Sequence, residues 1–186
     1  MDGTEQPTPE DIDLFIRRCG LGQLDVVRRE IADGMAVNVA NSVGYTPLMS
    51  AARNFRADVV DELLAHGADV GARMETQETP LHLAVGGSPE MPAWYDASSG
   101  PSNGELQAHI VTALLDAGAD VTARSELGMT PLMTAAWFGC TEAAALLVAR
   151  PQDLAATNEK GLTAIDVARQ RDNTEIAELI EQALRD

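Results

Sequence analysis

The chain has 186 residues, 29 of them acidic and 13 basic, for a net charge of −16. That balance argues against nucleic acid as a partner, because binding it depends on neutralising phosphates with Lys and Arg. It disfavours anionic membrane surfaces by the same sign, and leaves either steering of a basic protein partner or solubility alone as the role of the charge. Cys19 and Cys140 lie far apart without a metal-ligand spacing, which suggests a reducing compartment. Residues 1–9 are polar and acidic with no apolar core of a signal peptide, and no run reaches the length of a membrane span. The expected location is cytoplasmic.

In chain order, residues 1–9 read as a flexible lead-in, with Pro7 and Pro9 suited to a helix start at Glu10-Asp11. Ile12, Phe15, Ile16 and Cys19 follow at helical spacing, Gly20-Leu21-Gly22 makes a turn, and Leu24, Val26, Val27 and Ile31 supply a second helix. A ruler then emerges. Thr46-Pro47-Leu48-Met49 is followed 33 residues later by Thr79-Pro80-Leu81-His82, a further 51 later by Thr130-Pro131-Leu132-Met133, and a further 33 later by the degenerate Thr163-Ala164-Ile165-Asp166. Gly67-Ala68-Asp69-Val70 recurs 51 residues on as Gly118-Ala119-Asp120-Val121, and a decayed copy, Gly34-Met35-Ala36-Val37, lies 33 before it. Two markers on one period mean an internal repeat, with the step of 51 read as 33 plus an insertion of 18.

Each Thr-Pro suits a helix start, the Thr hydroxyl as N-cap and Pro at the first helical position. The pairs Ala51-Ala52 and Ala135-Ala136 are small where helices must approach closely, and Leu63-Leu64, Leu114-Leu115 and Leu147-Val148 fill the layer between repeats. The second repeat pairs a helix over Thr46–Asn54 with one over Asp58–His66, closed by Gly67. The third is interrupted from Gly86 to Gly104, and its helical pattern resumes at Leu106. Long structureless loops are uncommon in compact domains and often functional. The fourth runs regularly to Val148, and the fifth, Gly161 to Asp186, carries the polar face that a terminal repeat needs.

The order Gly-x-Thr-Pro-Leu, Ala-Ala, Val-Val-x-x-Leu-Leu, Gly-Ala-Asp, best seen from Gly44 to Val70, resembles the ankyrin repeat. The resemblance runs from about Glu10 to the C-terminus. It implies an all-α solenoid of about five helix-turn-helix repeats with β-hairpin fingers, spanning 10–40, 41–73, 74–124 with the insertion, 125–157 and 158–186. It also implies a binding scaffold with no chemistry of its own, whose partners meet the hairpin tips and the exposed face of each first helix. Carried over position by position, the tips give Ser42, Val43, Tyr45, Glu75, Thr76, Glu78, Glu126, Leu127, Met129, Glu159, Lys160 and Leu162. The ends of the first helices give Arg53, Asn54, Gly86, Gly87, Trp137, Phe138, Arg169 and Gln170.

Trp137-Phe138 is the sharpest of these, an adjacent aromatic pair placed outward between Ala136 and the turn at Gly139. It reads as a binding anchor, or as a pair with at least one ring folded under the insertion. Trp94-Tyr95 in the insertion poses the same choice between contact and pinning the loop. Glu75, Glu126 and Glu159 should form an acidic row beside Arg73 and Arg124, read as a solvated edge with pairs inside each tip or as a site for a basic partner. Met49 and Met133 stand where the motif usually has His, as His82 does. That His is structural in the family, so those two repeats should lack its backbone bonds. His66, His82 and His109 are each explicable within a repeat, and no phosphate loop or cysteine pair is present. No cofactor, metal or catalytic residue is expected.

Rich in Ala, Asp, Gly and Arg with little Lys, the composition resembles that of a high-GC bacterial protein. Small acidic ankyrin proteins of bacteria resemble immunity proteins that neutralise a toxin. The expectation is therefore a non-enzymatic binder, monomeric when free, that inhibits or regulates a protein partner. An adaptor or regulatory subunit of an enzyme is the alternative, and a small hydrolase with the inserted loop as lid the remote one.

Overall fold

A computed structural model describes residues 7–86 and 103–185. Ten helices form among the described residues: α1 (Pro9–Gly20), α2 (Leu24–Ala32), α3 (Pro47–Arg53), α4 (Ala57–Ala65), α5 (Pro80–Gly86), α6 (Asn103–Asp116), α7 (Pro131–Phe138), α8 (Thr141–Val148), α9 (Ala164–Gln170) and α10 (Thr174–Ala183). Odd-numbered helices stack in one row and even-numbered helices in a second, each packing on its own pair and on the next. No helix among the described residues is long and apolar enough to cross a membrane.

The threonines act as their position demands. Thr46, Thr130 and Thr163 accept from the backbone N–H three residues on, at 3.2, 3.3 and 3.3 Å, and Asp166 completes a capping box at Thr163. The first repeat lacks this threonine and starts its helix earlier. Thr8 caps α1 in a capping box with Asp11, so Thr8 and Pro9 belong to the helix start rather than to a lead-in. The alanines are small for the anticipated reason: Ala51, Ala52, Ala135, Ala136 and Ala168 are completely buried between the inner helices.

Each finger is a closed turn rather than a hairpin, and no strand forms among the described residues. Asn41 N–H donates to Tyr45 O at 3.1 Å, and the same bond recurs at Met74–Glu78, Ser125–Met129 and Asn158–Leu162. A single backbone bond links each finger to the next: Glu75 N to Val43 O, Glu126 N to Thr76 O and Glu159 N to Leu127 O, at 3.0, 2.8 and 3.2 Å. Two bonds within each five-residue turn, the second from Gly44 N to Asn41 O and its equivalents, and one bond per neighbour are too few for a ladder. The left-handed residue of the turn is Gly44 in the second repeat, where a Cβ would stand 2.8 Å from Arg73 O. Gln77 holds the same conformation with φ 62° in the third.

Between the two helices of a repeat the chain closes with another recurring bond. The carbonyls of Arg18, Ala51, Ala135 and Ala168 accept from the backbone N–H five residues on, at Gln23, Arg56, Cys140 and Asn173. In the third repeat the matching carbonyl is Ala84 O, and the insertion separates it from the following helix. There the Gln107 side chain substitutes, its Nε2 donating to Ala84 O at 2.9 Å and reaching Val85 O at 3.4 Å. Gln107 is 5 % exposed, so these are buried bonds. It stands on α6, which starts at Asn103, one turn ahead of the sequence expectation. The remaining insertion, with Trp94 and Tyr95, lies outside the described residues.

Gln107→Leu should therefore leave a buried carbonyl without its donor and cost about 1–3 kcal/mol. Urea unfolding measures this. An unchanged midpoint would show that the substitute bond contributes nothing.

Candidate binding groove

A groove of about 360 Å³ runs between the fingers of the last three repeats and the inner helices α7 and α9. The fingers contribute Glu78, Ser125, Leu127, Met129, Asn158, Glu159, Lys160 and Leu162, and the helices contribute Thr134, Trp137, Phe138, Val167 and Gln170. The α7 sequence explains the aromatic wall. Ala135 and Ala136 are buried against neighbouring helices, so the next two side chains point away, and Gly139 in the left-handed conformation ends the helix behind them. Trp137 is 42 % and Phe138 58 % exposed, and Leu127 on the middle fingertip is 66 % exposed.

Both aromatic rings have intramolecular contacts as well. The Arg171 guanidinium lies 4.4 Å from the Trp137 ring centroid, and Arg171 Nε donates to Trp137 O at 3.3 Å. Phe138 stands over the end of α5, where a Cβ on Gly86 would be 3.1 Å from Phe138 Cε2. The pair is thus outward but anchored.

Of the residues singled out from sequence, Glu78, Met129, Trp137 and Phe138 line this groove, together with Leu127, Glu159, Lys160, Leu162 and Gln170 from the wider set of tip and helix-end positions. The other described ones stand elsewhere. Asn54 Nδ2 donates to Ser50 O at 2.9 Å and serves the helix end. Tyr45 is half-buried, and burial pushes its phenol up against the opposing effects of a Ser50 hydrogen bond and the Arg53 charge. Arg53 is exposed beside it. Glu75 and Glu126 are exposed at their fingertips. Arg169 pairs with Glu181 at 2.5 Å.

Arg73 and Arg124 do not pair inside their tips with the acidic row. Arg73 Nη1 donates to Gln77 O at 3.2 Å and to Arg124 O at 3.1 Å, and Arg124 donates to Thr157 O. They stitch one finger to the next. Ser125, Asn158, Thr134 and Val167 also line the groove and stand outside the sequence expectation, although for Thr134 and Val167 a signal exists. Thr134 sits one turn before Trp137 and Phe138 on the same helix face, and Val167 lies 33 residues after Thr134.

Comparison with known proteins places the chain among repeats of one kind. A family model described as "Ankyrin repeats (3 copies)" matches residues 15–92, and another described as "Ankyrin repeats (many copies)" matches residues 114–168. "Ankyrin repeat domain-containing protein 37" of Mus musculus is 34 % identical over 116 residues, covering 62 % of this chain and 62 % of that protein. "Ankyrin repeat and SOCS box protein 16" of Homo sapiens is 32 % identical over 176 residues, covering 82 % of this chain and 39 % of that protein. "2-5A-dependent ribonuclease" of Homo sapiens is 36 % identical over 77 residues, 41 % of this chain and 10 % of that protein. The chain thus spans less than two thirds of each of these relatives.

His82 and the two cysteines have structural roles. His82 Nδ1 accepts from Thr79 N–H at 3.3 Å and faces Thr79 Oγ1 at 2.9 Å, while Nε2 donates to Met129 O at 2.9 Å in the next finger. Met49 and Met133, in the corresponding positions, are fully buried and make no such bonds from their side chains. Cys140 Sγ donates to Val85 O at 3.1 Å. Burial pushes the Cys19 thiol up to about 12, far from a nucleophilic thiolate. Among the described residues no group of three or more His, Cys, Asp and Glu could hold a metal ion.

Burial holds the His82 pKa below its ordinary value, outweighing the bond to Met129 O and the Glu78 charge that act the other way. The unfolded chain then binds more protons than the folded one just below the ordinary histidine value of about 6.5, so this stability is present above that value and is lost as pH falls through it. Stability of the wild type against unfolding should fall from about pH 7.5 to about pH 5.5, and that of His82→Met should fall less over the same window. Equal slopes of stability against pH would contradict the neutral, buried His82.

Proposed function

The chain belongs to the ankyrin-repeat family, and on that premise we propose that it binds a protein partner in the groove between its last three fingers and the helices α7 and α9. The family is one of protein–protein interaction modules, and one observation carries the placement. Leu127, Trp137 and Phe138, three large apolar side chains left exposed, converge on a single groove. Large aromatic side chains at such a position are the usual anchors of binding energy.

The protein is not an enzyme in this reading. A small hydrolase with the insertion as lid is the remote alternative, and among the described lining residues there is no histidine or cysteine. The net charge of −16 favours a basic partner through faster electrostatic encounter. The free protein is monomeric and cytoplasmic, the latter resting on two free cysteines. Its role is to inhibit or regulate what it binds, in the most specific form as an immunity-type protein that neutralises a bacterial toxin. That form rests on size, acidity and composition, and no relative's name carries it. An adaptor or regulatory role is favoured by a different observation. The chain covers only 39 % of the SOCS box protein and 10 % of the ribonuclease, where stretches like this one are part of something larger.

Immobilised wild type and the double variant Trp137→Ala with Phe138→Ala, incubated with lysate of the native cell, test the groove. Proteins held by the wild type should be lost from the variant, each anchor contributing about 2 kcal/mol or more to binding. The variant should unfold within about 1 kcal/mol of wild type, since its rings are half-exposed. Glu178→Ala on the exposed face of α10 is the control and should retain the partner. Equal retention by the double variant would move the binding surface elsewhere.

A further inference from the structure

We infer that the groove receives an arginine side chain of the partner, flanked by apolar residues, with its stem on Leu127 and Met129 and its guanidinium between Glu78 and Glu159. The inference rests on the groove being the binding surface, and adds what that surface selects. Finger order fixes the arrangement. The middle finger joins the third through Glu126 N–Thr76 O and the fifth through Glu159 N–Leu127 O. Leu127 and Met129 on the middle finger are therefore flanked by a carboxylate from each side, Glu78 and Glu159, and all four line the groove.

These carboxylates are open to a cation. The ion pairs among the described residues involve neither Glu78 nor Glu159. Glu78 Oε2 accepts from Thr76 Oγ1 at 2.9 Å, which orients the carboxylate without neutralising it. The guanidinium groups nearby are committed: Arg73 and Arg124 to finger carbonyls, and Arg171 to the face and carbonyl of Trp137. Lys160 is the one cation among the described lining residues, set against two carboxylates.

The rest of the groove suits the same occupant. Trp137 and Phe138 present π-faces to which a guanidinium is attracted, and Arg171 already shows that Trp137 accepts one. An apolar floor takes the three-methylene stem, while the planar head matches carboxylates bidentately. The volume of about 360 Å³ fits one long side chain and its neighbours rather than a helix. An acidic side chain would face two like charges over a floor that cannot solvate it.

The test is an NMR titration of the ¹⁵N-labelled protein with two blocked peptides, Ac-Gly-Leu-Arg-Leu-Gly-NH2 and its citrulline counterpart, which keeps the shape without the charge. The Trp137 indole N–H, assigned by its loss in Trp137→Phe, and the amides of Leu127 and Leu162 report on the groove. The arginine peptide should shift these signals at millimolar concentration and bind about tenfold more tightly than the citrulline peptide. Glu78→Gln with Glu159→Gln should bring the two peptides level, and this variant should fold as wild type because both side chains reach solvent. Equal shifts by both peptides would overturn the inference and leave the groove as an apolar docking surface. Shifts confined to other residues, or none with either peptide, would overturn it as well. Loss of partner capture in the Trp137→Ala, Phe138→Ala variant remains a separate result, so the two readings can fail independently.

Discussion

The position of each repeat on the next is set by close contact between alanines of the inner helices. With Ala51, Ala52, Ala135, Ala136 and Ala168 completely buried, backbones approach where a larger side chain would hold them apart. That approach brings successive fingers within reach of one backbone hydrogen bond, and it lets Arg73 and Arg124 donate to the carbonyls of the following finger. The groove is a by-product of this spacing. Helices that pack through their alanines leave Trp137 and Phe138 on the free face, opposite the fingertips that the same spacing has aligned. Among the described residues the helices of each repeat pack chiefly on those of its neighbours, so a site spread over three repeats depends on two interfaces being held in register.

The interrupted repeat shows how the arrangement tolerates a defect. A chain that leaves between two paired helices loses the backbone bond closing them, and Gln107 restores it from the far side of the break. The corresponding residues elsewhere reach toward the preceding repeat instead. Cys140 Sγ donates to Val85 O, Asn173 Nδ2 to Ala136 O at 2.7 Å and Arg56 Nε to Gly20 O at 3.0 Å. From the second repeat to the fifth this position thus supplies a donor to a helix-end carbonyl, with a different side chain in each. The turn before it takes the left-handed conformation even at Phe55, whose φ is 55° and whose ring is 6 % exposed. Burying that ring offsets a backbone cost of about 1–2 kcal/mol.

Much of this was legible in the sequence because a repeat presents the same physical demand several times. Thr46, Thr130 and Thr163 cap helices because Thr-Pro and Thr-x-x-Asp leave few other local solutions, and the alanine pairs fell where helices meet. Trp137 and Phe138 followed from register. What did not follow was side-chain bonding across repeats. Nothing local in Arg73 or Arg124 says whether a guanidinium turns to a neighbouring glutamate or to a carbonyl in the next finger. Gln107 reads as an ordinary surface residue until the broken closing bond is seen. The hairpins were over-read, since the motif names a finger but the number of cross-bonds decides whether strands form. Thr8 was missed as a cap because it lies outside the repeat's ruler. Tyr45 and Asn54 were assigned to recognition by position, while their own hydrogen bonds draw them into the second repeat's packing.

The central claim is that one groove, built by the last three fingers and the helices α7 and α9, is where a partner binds. Amide hydrogen exchange of the protein alone and in complex with a captured partner tests it most directly. Slowed exchange should appear in residues 125–138 and 158–170, with α2, α4 and α10 unchanged. Protection confined to those outer helices, with the fingertips exchanging as freely as before, would contradict it.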